Sequence, residues 1–213
     1  MRSTGRRLRL SLDLLLQRSL GLCLAVDVLI LSGVLVQTLA SNDPEGFYYA
    51  AVIPLFLLGV PILSDTVALE RRAGSLDLAL SAPGAARYFE RRVATFCAVM
   101  ALQGTLVLLV ARLAVARYLL APALLQLLLT AAVIGAVVLF WAVRLRGPGA
   151  VAFASLLTLL ALQRWLLANP VRRVGWTVDA AADWLGANAV LAGAAAMLYL
   201  YARRRLSRPE TLL

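Results

Sequence analysis

Apolar residues in this chain do not alternate with polar ones; they gather in runs that only a bilayer or a large interior can hide. Six runs reach or approach the roughly 20 mostly apolar residues that a membrane-spanning helix needs. They cover 20–40, 47–69, 93–111, 119–143, 149–168 and 186–202. In lipid, only helices and closed barrels satisfy their own backbone groups, and these runs are too long and continuous for barrel strands. The pattern therefore predicts an all-α membrane protein with six transmembrane helices, organised as one membrane domain over 1–213. Pro54 and Pro61 interrupt the second run; each removes a backbone donor and favours a kink.

Between the runs, the basic residues are unevenly placed. Sixteen of the 21 arginines fall on one side if both termini are inside. These are Arg2, Arg6, Arg7, Arg9 and Arg18, then Arg71, Arg72, Arg87, Arg91 and Arg92, then Arg144 and Arg146, and last Arg203, Arg204, Arg205 and Arg208. Only Arg112, Arg117, Arg164, Arg172 and Arg173 fall on the other. Cytoplasmic loops are enriched in basic residues, so an N-in, C-in arrangement follows. The loop 41–46, with two acids and no arginine, agrees with an outer position. The first run is longer than the roughly 7–15 residues of a signal-peptide core, and Asp13 precedes it, so an uncleaved first helix is expected.

The stretch 6–19 places Leu8, Leu12, Leu15 and Leu16 on one helical face and Arg6, Arg9, Asp13 and Gln17 on the other. It reads as an amphipathic N-terminal interfacial helix on the inner leaflet, with its arginines near anionic lipid headgroups. An orientation signal alone would account for it equally well. Trp165, Trp176 and Trp184 fall in or beside the last outer loop, and Trp141 near the inner end of the fourth span. Aromatic rings favour such interfaces.

Composition narrows the chemistry. Hydrophobic residues make up 62% of the 213 and charged residues 15%, against about 25% charged in soluble domains. The net charge is +10, and every basic residue is arginine; histidine and lysine are absent. Without histidine there is no Ser-His-Asp triad and no histidine-ligated zinc or haem. Without lysine there is no G-x-x-x-x-G-K-[ST] loop to hold nucleotide phosphates. Cys23 and Cys97 both lie in apolar runs and read as small buried hydrophobes. The chain is not expected to be an enzyme, to bind nucleic acid, or to carry a metal or cofactor of its own.

The most informative segment follows the second run: Glu70-Arg71-Arg72-Ala73-Gly74-Ser75-Leu76-Asp77-Leu78-Ala79-Leu80-Ser81-Ala82-Pro83-Gly84. Gly74 permits a sharp turn, Ser75 can cap a helix and Asp77 suits its first turn. Pro83-Gly84 then stops it. What remains is a short cytoplasmic helix over 75–81, with Leu76 and Leu80 on one face. So short a helix is not stable alone in water, so it must pack on lipid, on the bundle or on a partner.

From Glu70 to Pro83 the pattern Glu-x-x-x-Gly-Ser-Leu-Asp-x-x-Leu-Ser-x-Pro resembles the coupling-helix signature of type-two ABC exporter permeases. That family also has six spans, cytoplasmic termini and an amphipathic N-terminal helix. The resemblance covers the whole chain in layout but only about fifteen positions in motif. It implies two six-span subunits, as a homodimer or with a homologous subunit, above two separate ABC ATPase subunits that bind the ATP. Leu76 and Leu80 would be apolar anchors in a cleft of the ATPase. Gly74, Ser75, Asp77 and Pro83 would shape that helix, and Glu70, Arg71 and Arg72 would make polar contacts. In related permeases the segment after the fifth span, here 171–185 with Trp176, Asp179 and Asp183, forms short helices that help close the outer side. Lipids, peptides, drugs and haem are the cargo classes the layout allows.

Two acids lie inside the apolar runs, where an ionised aspartate costs about 2.5–3.5 kcal/mol at a helix centre on insertion scales. Asp65 is near the inner end of the second span and within reach of water. Asp27, a third of the way through the first, is the sharper candidate for lining a path or pairing with an arginine. An ion-coupled secondary transporter or channel is the alternative reading, and a non-transporting membrane assembly protein a third. Small residues are dense in the fourth span (Ala131, Ala132, Gly135, Ala136) and the sixth (Ala189, Ala192, Gly193, Ala196). Such spacing lets helices approach closely and marks packing faces, within the bundle before a dimer seam. The all-arginine usage hints at a GC-rich bacterial genome, and so at a bacterial cytoplasmic membrane.

Overall fold

The computed structural model describes residues 44–57, 59–64, 85–114, 119–166 and 178–207, with isolated helical positions at 28, 32, 33 and 36. All regular structure among them is helical. The elements are α1 (Pro44–Leu57), α2 (Ala85–Ala114), α3 (Leu120–Ala142), α4 (Pro148–Ala161), α5 (Gln163–Leu166) and α6 (Val178–Leu206). Residues 59–64 are also helical. Within α2, α3 and α6, the segments Phe89–Leu113, Leu120–Ala142 and Ala181–Leu206 are long and apolar enough to cross a membrane. These three helices mark the chain as a multi-pass helical membrane protein. The interfacial helix (6–19), nearly all of the first span and the 75–81 helix lie outside the described residues.

The helices agree with hydropathy best where an apolar run has sharp ends. The run 119–143 becomes α3, Leu120–Ala142, closed by a Val143 cap whose N–H reaches the Leu139 carbonyl. The run 93–111 is the middle of a longer helix, because α2 begins at Ala85, directly after Pro83-Gly84. The run 186–202 is likewise the middle of α6, which begins at Val178. Residues 178–185, expected in an outer loop, therefore form the first two turns of the sixth helix. Ala180, Ala181 and Ala182 are strong helix formers, and a helix continues past its apolar portion.

The fifth run differs more. The sequence predicts one span over 149–168, but α4 stops at Ala161 and Leu162 takes a single αR capping conformation with its N–H on the Thr158 carbonyl. Fourteen residues span only about 21 Å, short of the roughly 30 Å hydrocarbon core. The second run begins earlier than expected, at Pro44, which suits a first helical turn because its φ is already fixed. The helix then runs through Pro54 to Leu57.

Burial explains the arrangement. Along 48–63 the buried residues Tyr48, Ala51, Val52, Leu55, Gly59, Val60 and Leu63 follow the helical repeat, so one stripe faces inward. Along α2, Phe89, Val93, Phe96, Met100, Leu108 and Ala111 do the same. Helix α3 is different: Val133 to Leu139 is buried on every side. It packs against α1, α2, α4 and α6 and forms the axis of the bundle, with its most extensive contacts to α6 and α2. On the far faces, Leu102, Leu106, Leu109, Val110 and Leu113 of α2 are exposed, as are Phe153, Leu156, Leu157 and Leu160 of α4. Apolar stripes of this size on a protein surface need an apolar medium.

Candidate functional site

Of the arginine segments predicted to share one side, the described ones meet at one end of the bundle. Helix α2 starts there, with Arg87, Arg91 and Arg92. Helix α3 ends there, before Arg144 and Arg146, and α6 ends there, with Arg203, Arg204 and Arg205. Two contacts fix the register: Glu90 Oε1 lies 3.4 Å from Arg203 Nε, and Arg144 reaches the Tyr201 hydroxyl.

Above this end lies a groove of about 470 Å³ between α2, α3 and α6. That is within the roughly 300–1,000 Å³ of small-molecule pockets. Its geometry follows from small side chains. Helix α3 forms the floor with Ala131, Ala132, Gly135 and Ala136; α2 forms one wall with Ala94, Cys97, Ala98 and Ala101; α6 forms the other with Ala195 and Ala196. The two walls touch each other little, while both pack closely on α3. The groove is thus the space left where small residues let helices diverge from a shared neighbour.

The floor is joined to its α2 wall at near-contact. A Cβ added to Gly135 would sit 2.8 Å from Cys97 Sγ and 3.0 Å from a Val93 methyl, and one added to Gly104 would sit 2.8 Å from a Leu127 methyl. Only glycine permits the observed approach at Gly135. The Cys97 thiol donates to the Ala131 carbonyl at 3.3 Å, a weak bond that suits the structural role expected for this cysteine.

Polarity is confined to the ends. At the arginine-rich end Glu90 and Tyr199 line the groove beside each other, and Arg203 pairs with Glu90 across it. The carboxylate side is 18% exposed and the guanidinium side 54%, so the pair is partly wetted and its strength is that of a surface bridge more than a buried one. It nevertheless links the two walls where they otherwise barely meet. At the opposite half of the bundle, Gln126 and Thr130 of α3 are fully buried with Tyr48 of α1. The Gln126 amide donates to the Leu166 carbonyl at 3.4 Å, Thr130 donates to the Gln126 carbonyl at 2.8 Å, and the Tyr48 hydroxyl faces Thr130. Buried polar groups of this kind in a membrane helix face protein and not lipid.

Of the residues singled out from sequence, Asp27, Asp65, Glu70, Arg71, Arg72, Gly74, Ser75, Leu76, Asp77, Leu80 and Pro83 all lie outside the described residues. Of the small residues of the fourth span, Ala131, Gly135 and Ala136 are buried in the bundle as expected, while Ala132 is exposed and lines the groove. Those of the sixth are not. Ala189, Ala192, Gly193 and Ala196 are exposed, and a Cβ on Gly193 would meet nothing within 4 Å. Ala196 is exposed into the groove, and Ala189, Ala192 and Gly193 face away from the described helices, against the expectation that this face packs inside. Glu90, Tyr199 and Gln126 gave no sequence signal beyond lying at or near the ends of apolar runs. Among the described residues no group of His, Cys, Asp or Glu could hold a metal ion. No known protein family, curated protein or solved structure matches the chain.

Proposed function

We propose that the chain is the membrane-spanning permease subunit of an exporter of the type-two ABC class, working as a dimer and driven by a separate ATPase. The observation that carries the transport part is the groove. It is large enough for a small amphiphile, apolar along most of its length, lined mostly by small side chains, and bridged at the arginine-rich end by one half-exposed ion pair. An ordinary packing defect in a bundle would be filled by larger side chains. The pattern from Glu70 to Pro83 supports the coupling part, with the 75–81 helix transmitting motion from the ATPase into the second span. The exposed small-residue face of α6 supports a second permease copy, because such faces are where membrane helices associate. Cargo of lipid, peptide, drug or haem class fits the apolar lining. Groups with several charges fit it poorly.

The test is partner recovery from the native membrane, comparing wild type with a Leu76→Asp, Leu80→Asp double variant. An ATPase subunit that accompanies the wild type and is lost from the folded variant is the expected result, together with loss of ATP hydrolysis from the variant preparation. Recovery of no ATPase with either form, even after crosslinking, would remove the ABC assignment and leave the ion-coupled reading, with Asp27 as the residue to test.

A further inference from the structure

On the other side of the α3–α6 contact from the groove, two arginines converge on one hydroxyl. Arg144, just past the end of α3, donates from Nε at 3.2 Å and from Nη2 at 3.0 Å to the Tyr201 oxygen. Arg205, in the last turn of α6, donates from Nε at 3.2 Å to the same oxygen. The Arg144 guanidinium is held against two rings, 4.7 Å from the centre of Phe140 and 4.8 Å from that of Tyr201. Arg205 lies 5.7 Å from the Tyr201 ring centre. Cations favour helix C-termini, which explains an arginine at each position. It does not explain why two like charges, which repel, are brought within two hydrogen-bond lengths of each other around a neutral oxygen. Among the described residues neither one pairs with a carboxylate.

The donor inventory says what would relieve that repulsion. The Tyr201 oxygen accepts from both guanidinium groups, so its own proton remains to donate outward. Each guanidinium keeps further N–H donors not used on the tyrosine. The cluster therefore offers several donors, two positive charges and no acceptor. That set matches an anion with several oxygens, and arginine forks match phosphate geometry in particular. Its depth matches as well, since tyrosine and arginine at the end of apolar spans sit at headgroup level. Basic pockets between helices on the cytoplasmic side take anionic lipid headgroups.

We infer that Arg144, Arg205 and Tyr201 form a binding site for a phosphate ester, and that its occupant is the phosphodiester headgroup of an anionic glycerophospholipid. This site is separate from the groove and does not depend on the coupled ATPase.

The test is native mass spectrometry of the full chain in detergent, titrated with phosphatidylglycerol and, in parallel, with phosphatidylcholine. Three forms are compared: wild type, Arg144→Gln with Arg205→Gln, and Arg87→Gln with Arg91→Gln. The last pair are exposed arginines at the same end, so both double variants lose the same net charge. Loss of two charge-assisted contacts is expected to weaken phosphatidylglycerol binding about tenfold or more in the first double variant. The second double variant and the phosphatidylcholine titration should change little. Tyr201→Phe, which removes the shared hydroxyl and keeps both charges, is expected to give a smaller loss. Equal weakening in both double variants would reduce the effect to net charge and overturn the site. So would an unchanged affinity in Arg144→Gln with Arg205→Gln. Added inorganic phosphate should leave the lipid bound; displacement by it would overturn the lipid as occupant and assign the site to a soluble phosphate.

Discussion

Helices α3 and α6 are both long and apolar, and both are rich in alanine and glycine, yet they occupy opposite kinds of place. In α3, 67% of the most apolar window is buried inside the protein; in α6 the share is 22%. Helix α3 is the more apolar, but both are apolar enough to span, and lipid and protein interior are similarly apolar surroundings for a side chain, so apolarity alone does not say which is enclosed. What separates them is the number of neighbours. Among the described residues α3 packs against α1, α2, α4 and α6, and its Gly135 is consumed in close approach to α2. Helix α6 leans on α3, burying Leu191, Ala195 and Ala202, and turns Ala189, Ala192 and Gly193 outward. The same local composition therefore makes a packing seam in one helix and an open surface in the other. The groove lies between them because one helix is surrounded and the other is not.

Substitutions can break this comparison, starting with the largest expected effect. Leu127, fully buried on α3, should cost about 2–5 kcal/mol when changed to alanine. Leu200, half exposed on α6, should cost within about 0.5 kcal/mol for the same change. Unfolding of each variant in mixed micelles, followed by circular dichroism, reads the difference, and equal costs would place the two helices in equivalent surroundings.

Next come the glycines. Gly135→Ala puts a methyl 2.8 Å from Cys97 Sγ and should destabilise by about 1–3 kcal/mol through overpacking. Gly193→Ala meets open space and should be neutral or slightly stabilising, since alanine is the better helix former. The same unfolding assay distinguishes them. If Gly193→Ala proves costly in native membranes but not as a separated monomer, a second copy covers that face.

Smaller effects test the joints around the axis. Trp141 Nε1 donates to Thr158 Oγ1 at 2.9 Å, tying α3 to α4; Thr158→Val keeps the side-chain shape and should cost about 1 kcal/mol for the lost bond. The Glu90–Arg203 pair is worth no more than about 1 kcal/mol at its exposure, so Arg203→Gln should barely alter stability. Its effect should appear at the groove. In a Cys23→Ser background, Cys97 should react faster with a water-soluble maleimide once Arg203 is replaced. An unchanged rate would mean that the pair does not guard that end.

Much of the helix inventory is legible in the sequence, and the exceptions have physical causes. The ends of α3 are readable because its run is bounded by Arg117 and Arg144. The ends of α2 and α6 are not, because hydropathy reports the apolar portion of a helix while Ala85–Arg92 and Val178–Leu185 continue it through polar positions. The stop at Leu162 carries no glycine or proline. It is followed by a short helix whose Leu166 carbonyl accepts from Gln126 on α3, a tertiary contact that no local window contains. The groove is less legible still. Its walls are mostly alanines with no individual signal, and Glu90 meets Arg203 across 113 positions of sequence. The segment that sequence reading ranked first, Glu70 to Pro83, carries its message in residue pattern alone.

The most direct test of a permease driven by a partner ATPase is the reactivity of Cys97 in the assembled complex. With Cys23→Ser as background and the recovered ATPase present, Cys97 lines the groove and reports its opening to a membrane-permeant maleimide. A several-fold difference in labelling rate between the nucleotide-free and ATP-trapped states is expected, and the Leu76→Asp, Leu80→Asp variant should lose it. An identical rate in both states, in a complex that hydrolyses ATP, would contradict the coupling of groove to ATPase.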